Sequence, residues 1–380
     1  MLNILFCGDF APCRGYEDMV IKNKALVFGD LLKDISKVDF SFLNLECPLC
    51  FSGAKIKKCG PNLRANPNCI SAVTEAGFDV VGLANNHIMD YGQDGLEETI
   101  NVCEEAGLLT CGAGKDLQMA QQSLFVIRKE IKIAIVAVAE REFSIAEINK
   151  AGAAPLDPID NLEAIKKAKE VADFVFVTIH GGNEYYPYPR PGLRKVCRFF
   201  IEQGVDGVIC HHAHVPGAYE IYENKPIVYS LGNLVFDYPN PPNGWNKGYA
   251  IRLEYDQNTK GLTSCEVIPY TQSVMQGGVV KMQGEAKTEF MASLDHYKCI
   301  LLDEDRYENE WKVFFSEREK EVLIKMFFPI QFRGLGRMSR IFSIEKMLLG
   351  QKSLYAKLNY LSCESHREVL LSVLLRRADR

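Results

Sequence analysis

The chain has 380 residues, 47% hydrophobic and 24% charged, with a net charge of −5. That length supports one large domain with an appendage or two ordinary domains, and the composition is globular, which excludes the disordered, collagenous and membrane-embedded classes. The charge is uneven: Lys325 to Arg380 carries 11 Lys+Arg against 4 Asp+Glu, a local +7 that leaves −12 for everything before it.

The first residues, MLNILFCGDF, enter an apolar run at the second position without a basic leader. They read as a first strand and point to a cytoplasmic chain. Runs such as IAIVAVA (133–139) fall far short of the roughly 20 apolar residues needed to cross a bilayer. Strands are predicted at Leu2 to Cys7, Phe40 to Leu45, Asp79 to Ala84, Ile131 to Ala139, Phe174 to Ile179 and Gly207 to Cys210. Amphipathic stretches separate them, the pattern of an α/β domain. Three later runs (226–231, 248–255 and 263–269) follow without helices between them and predict an antiparallel edge or a second sheet.

Two segments share a local pattern, EAGFDVVGLANNH (75–87) and EQGVDGVICHH (202–212). Each leaves a helix at a Gly, where positive φ costs little, climbs a buried strand and stops at histidine. They read as two equivalent units of one sheet. Beyond about residue 275 the sequence turns helical, aromatic and basic, which divides the chain into 1–275 and 276–380. Thirteen cysteines without regular spacing read as reduced thiols.

Five strands stop at residues able to bind a metal: Asp9, Glu46, Asn86 with His87, His180, and His212 with His214. In open α/β sheets ligands bind in the crevice beyond the carboxyl ends of the strands, so these distant positions can meet. Of seven histidines, five fall at such tips, and only His296 and His366 lie in the helical tail. A set of oxygen and nitrogen donors suits Mn, Fe or Zn rather than a thiolate centre. His211 alternates with His212 in an extended segment and so is read as structural, pointing away from the site.

The segments CGDF, FLNLECPL, GLANNHIMDYG, HGGNE and HHAHVPGAYEIYENKPIVYSLGNLVFD, in that order, resemble the CapA family, also called the poly-γ-glutamate capsule synthesis family, of the calcineurin-like metallophosphoesterase superfamily. The resemblance covers about residues 2–270. It implies a four-layer α/β/β/α sandwich followed by a helical C-terminal extension. It also implies two divalent ions, one held by Asp9, Glu46 and His214, the other by Glu46, Asn86, His180 and His212, with Glu46 as the bridge. His87 would stay off the metals and face the substrate. The chain departs from the wider superfamily at Ala11, where a histidine is usual, and at Glu46, where an Asp is usual.

Two such ions roughly 3.5 to 4 Å apart can activate water and clamp the oxygens of an in-line attack on phosphorus. On that scheme His87 acts as general acid, and Asp90 either orients it or serves as a turn residue. Glu184 is read as an outer partner of His180 or as a solvent-facing loop residue. Ser230 and Asn233 fall where a strand returns to the site, or in a turn. Arg64, Arg190 and Arg194 could each hold an anionic group or lie on the surface. Cys47 and Cys50 form a lone CxxC with Cys59 and Cys69 beyond it, a weak signal for zinc or redox chemistry beside the plainer reading of ordinary thiols.

The basic run from Lys325 either docks on an anionic membrane surface or a synthase, making the protein peripheral to the membrane, or caps the main domain. Nucleic acid is not expected as a partner. The resemblance thus implies a metal-dependent hydrolase, a phosphoesterase acting on an anionic small-molecule or polymer substrate, linked to capsule or extracellular polymer biosynthesis (polysaccharide or poly-γ-glutamate). Two rivals stand beside it: hydrolysis of a γ-glutamyl amide, and a non-catalytic metal-binding accessory of a polymer synthase.

Overall fold

The computed structural model describes residues 1–58 and 60–327, with side chains described to residue 317. Its compact units are Met1–Glu304 and Asp305–Arg380. The basic run beyond Phe327, with His366 and the docking readings attached to it, lies outside the described residues, as does Cys59.

In chain order the first half supplies strands β1 (Leu2–Ala11), β2 (Phe40–Leu45), β3 (Val80–Gly82), β4 (Leu109–Cys111), β5 (Ala113–Gly114), β6 (Leu124–Arg128), β7 (Ile131–Ala139) and β8 (Gly152–Ala153). The second half supplies β9 (Phe174–His180), β10 (Gly207–His211), β11 (Tyr219–Tyr222), β12 (Lys225–Val228), β13 (Asn233–Phe236), β14 (Lys247–Tyr255), β15 (Leu262–Ser273) and β16 (Gly278–Lys281). One sheet runs β16-β15-β14-β1-β2-β3-β4, with β13 also pairing β1; the other runs β11-β12-β10-β9-β7-β6, and β5 pairs with β8 apart from both. The first four strands of the chain are mutually parallel, and the antiparallel block β14 to β16 forms one edge, as the runs 248–255 and 263–269 predict, while the run 226–231 falls in β12 of the other sheet.

The two sheets pack face to face. Phe6 of β1 lies 5.5 Å from Phe176 of β9, and Tyr255 of β14 lies 5.1 Å from Phe174. All four are buried, and each such ring contributes roughly 1.5–3 kcal/mol. The outer faces carry helices. Pro158–Val171 and Pro191–Glu202 pack on the second sheet. Each has proline at its first position, where the missing N–H costs nothing. Beneath the first sheet, Phe28 wedges between Phe10 and Phe78 at 5.7 and 5.3 Å. The result is the α/β/β/α layering expected from the sequence.

The segments 75–87 and 202–212 are not units of one sheet: β3 belongs to the first sheet and β10 to the second. Their shared pattern specifies a helix stop at Gly77 or Gly204, both at positive φ, and a buried strand ending at histidine. It carries nothing about which sheet receives the strand, because both inner faces demand the same apolar residues. Strand β16 and the helix Gly284–Leu302 also lie in the first compact unit, which runs on to Glu304.

Candidate metal centre

Strand irregularity aims the first donor. The pairing of β1 with β13 slips between Asp9 and Phe10, and its pairing with β2 slips between Phe6 and Asp9. Such a slip turns a strand-end side chain out of the regular alternation. Gly8 permits the close approach there, since a Cβ on it would meet the Gly232 carbonyl oxygen at 2.0 Å. Glu46 follows β2 directly, its N–H donating to Phe10 O at 2.9 Å. His180 ends β9. His212 and His214 follow β10 with φ of 94° and 59°, a backbone region uncommon for residues other than glycine and concentrated at functional sites.

These tips converge in a closed site. Asp9, Glu46, His180, His212 and His214 are all buried. His180 Nε2 lies 3.1 Å from Asn86 Oδ1, 3.1 Å from His212 Nδ1 and 3.6 Å from Glu46 Oε1. On the other side, His214 Nε2 lies 3.4 Å from Glu46 Oε1, and its Nδ1 lies 3.5 Å from Asp9 Oδ2. Two groups of donor atoms result, Glu46 with His180 and His212, and Asp9 with Glu46 and His214, the atoms of each lying within 4.8 Å of one another.

Both Glu46 oxygens are buried without a hydrogen-bond partner among the described residues. Burial, reinforced by the Asp9 charge, raises the Glu46 pKa well above its ordinary 4.5. Asp9 goes the other way: burial pushes it up, but the His211 and His214 contacts outweigh burial and hold it well below 3.8. Burial and the neighbouring His212 keep His180 well below 6.5, so its ring is neutral, as a metal ligand must be. A buried carboxylate is stable only if paired or metal-bound, so divalent cations fit this oxygen and nitrogen set.

The profile described as "Bacterial capsule synthesis protein PGA_cap" matches residues 3–238. The chain belongs to the bacterial capsule synthesis protein family. Among its relatives, the PGA biosynthesis protein CapA of Bacillus subtilis is 32% identical, over 71% of each chain. A Mycobacterium tuberculosis relative named as a probable polyglutamine synthesis accessory protein is 29% identical over 63% of this chain and 67% of its own length. Among solved structures, a phosphatase from Mycoplasma pneumoniae is similar over 71% of this chain and 93% of its own, with a TM-score of 0.48 and 17% identity.

In this member of the capsule synthesis family, an outer layer of residues holds the donors, and part of that layer is not evident from sequence. Asn44, on β2, donates from Nδ2 to Asp9 Oδ1 at 2.8 Å and lies 3.2 Å from His180 Nδ1, so one amide ties both groups together. His211 is buried against Phe42, yet its Nδ1 lies 3.2 Å from Asp9 Oδ1. It is not a candidate ligand, but it does not point away from the site either. Glu142 lies 3.8 Å from His212 Nε2 and accepts from Asn86 Nδ2 at 3.4 Å. Alternation sets His211 against His212, but β10 ends at His211 and His212 leaves it at a φ of 94°, so alternation does not govern that pair, and Asn44 and Glu142 carry no motif of their own.

Asn233 takes up the partner position at His214: its Oδ1 lies 3.0 Å from His214 Nδ1, while its Nδ2 donates to the backbone oxygens of His214 and Trp245. Trp245 then packs on the His214 ring at 4.8 Å. Outer partners of metal-bound histidine typically contribute about 10–100-fold in affinity. Asn233→Ala is therefore expected to weaken metal binding by about that factor, as read by titration with a competing chelator. Unchanged affinity would remove Asn233 from the site's support.

His87 and Asp90 pair directly, with Nδ1 and Oδ2 2.6 Å apart. Ser230 stabilises the turn, donating to Val215 O and accepting from Gly232 N. Ala11 is buried where β1 pairs with Phe236. Glu184 is exposed, and the polar partners around His180 are Asn44, Asn86 and His212 instead. None of the three arginines is placed at the donors. Arg64 lies over the Tyr91 ring at 4.6 Å, and Arg190 pairs with Glu140 at 2.7 Å. Arg194 is buried and bonded to Glu304 and the Leu301 carbonyl, because its helix faces the helix Gly284–Leu302 at that position.

The CxxC cysteines join neither donor group among the described residues. Burial pushes the Cys50 thiol up to about 11 and raises Cys47 well above its ordinary value, against the thiolate form that zinc requires. Among the described residues no helix is long and apolar enough to cross a membrane.

Proposed function

We propose that this capsule synthesis protein is a metal-dependent hydrolase acting on a phosphoester within capsule or extracellular polymer production, whether polysaccharide or poly-γ-glutamate. The observation that carries this reading is the pair of buried Glu46 oxygens, without a hydrogen-bond partner among the described residues and shared by two groups of nitrogen and oxygen donors. Asp9, Glu46 and His214 would hold one divalent ion, Mn, Fe or Zn, and Glu46, Asn86, His180 and His212 the other. Bound ions of this kind supply Lewis acidity and lower the pKa of water. The chain's own part is to exclude solvent, to fix the donors through Asn44, Asn233 and His211, and to present His87 Nε2 to the leaving group while Asp90 holds Nδ1.

The accessory role named for the Mycobacterium tuberculosis relative supports a second reading, in which the metal centre is structural and the chain assists a polymer synthase. A γ-glutamyl amide is a further substrate class open to the same donors. The basic residues beyond Lys325 suit contact with a synthase or an anionic membrane surface on the cytoplasmic side. Metal-loaded protein, tested on phosphomonoesters, phosphodiesters and γ-glutamyl peptides, separates these readings. Phosphoester turnover lost in His87→Ala supports the proposal, turnover of γ-glutamyl peptides alone redirects it to an amide, and metal-bound protein inert on every substrate favours the accessory role.

A further inference from the structure

The loop between Glu46 and the helix Ile70–Ala76 brings a lysine into the site. The Lys58 side chain is 3% exposed and forms an ion pair with Asp90 Oδ1, while Asp90 itself is 0% exposed. Its Nζ also lies 3.1 Å from His87 Nδ1 and 3.5 Å from the Asn86 carbonyl oxygen. Burying an ammonium is costly unless it is paired and hydrogen-bonded, and here the pairing is to the carboxylate that touches His87.

Asp90 is the hub of this arrangement. Its Oδ2 accepts from Leu63 N at 2.6 Å and meets His87 Nδ1 at 2.6 Å, while its backbone oxygen accepts from Ile56 N and Asn62 Nδ2. Both carboxylate oxygens are therefore engaged, Oδ1 by the ammonium and Oδ2 by the ring and the backbone. A contact of 2.6 Å between His87 Nδ1 and a carboxylate oxygen needs a proton between them, and Asp90, with an ammonium on its other oxygen, is the acceptor. That leaves His87 Nδ1 as the protonated nitrogen of the neutral ring, to which the Lys58 ammonium at 3.1 Å does not donate, and Nε2 as the nitrogen free to meet a ligand.

We propose that Lys58 is a positioning residue for His87: it holds Asp90 in one orientation, and so selects a single ring tautomer and aims Nε2 into the site. This rests on the reading that His87 works on the substrate, but the tautomer itself does not depend on any activity. Ile56, Lys58, Asn62 and Leu63 are thereby all tied to the residue that holds the His87 ring.

The test uses full-length protein with 15N-labelled histidine, metal-free and zinc-loaded, with His87→Ala serving only to assign the His87 signals. In the wild type, the two His87 ring nitrogens should give well-separated signals, Nδ1 protonated and Nε2 not. In Lys58→Met they should draw together, as the ring loses its single tautomer. Under the hydrolase reading, kcat should also fall by on the order of 100-fold, the size expected of a small misplacement of a catalytic group, with KM and metal content little changed. If Lys58→Met fails to fold, Lys58→Gln, which keeps a donor toward Asp90, is read the same way for a smaller displacement of the signals. A folded variant with the wild-type nitrogen pattern overturns the proposal. A wild type inert on every phosphoester would instead overturn the hydrolase reading, and the nitrogen pattern would still decide the role of Lys58.

Discussion

Glu46→Gln is expected to abolish the stabilisation that divalent metal gives this protein. Glu46 is shared by both donor groups, so a single change from carboxylate to amide weakens both sites at once. Metal present at 100 times its Kd stabilises the folded chain by about 2.7 kcal/mol, and that increment should vanish in the variant. Without metal the sign reverses. In the folded, metal-free chain the Glu46 pKa is raised above its ordinary 4.5 by burial and then by Asp9, so the folded state binds more protons than the unfolded state. The stability tied to this carboxyl is fully present below the unfolded value and is lost as pH rises through the higher folded value. Chelator-treated wild type should therefore lose stability as pH rises above about 4.5, and the Glu46→Gln variant, whose amide cannot ionise, should not. Thermal unfolding of both proteins, with and without metal across pH, reads the two effects. A variant that kept the metal-dependent gain would remove Glu46 from the centre.

His87→Ala should behave in the opposite way, keeping the metals and losing the chemistry. Its ring touches Asp90 and Lys58 rather than the carboxylates of the donor groups. Loss of a positioned general acid or base typically costs 10²- to 10⁴-fold, so kcat on the best phosphoester should fall by about that factor while metal content stays at the wild-type level. Burial first, and Lys58 in addition, lower the His87 pKa below 6.5, with Asp90 opposing them. A protonated His87 is therefore lost early as pH rises, and the alkaline limb of kcat should lie below the ordinary imidazole range. A variant with undiminished turnover would end the catalytic reading of His87.

Much of this site was legible in the sequence because its donors sit at strand ends. An apolar run that stops at Asp9, Glu46, His180 or His212 announces both a buried strand and a polar residue at its carboxyl end, and the open-sheet rule then brings the ends together. What the sequence withheld depends on three-dimensional accidents of reach. Asn44 is one polar residue within a buried strand, and nothing local says that its amide spans Asp9 and His180. Lys58 reads as one of several lysines in a polar loop, and only the folded loop turns it inward onto Asp90. The same limit explains Arg194, an apparent anion binder that instead ties its helix to Leu301 and Glu304. It also explains β3 and β10, whose matching patterns lie in opposite sheets.

The central claim, two cations sharing Glu46, is tested most directly by metal analysis of the purified wild-type chain beside Glu46→Gln, each expressed with Mn, Fe and Zn available. Two metal ions per wild-type chain are expected, with loss of both in the variant. A wild-type chain that binds no divalent metal under these conditions would contradict that claim.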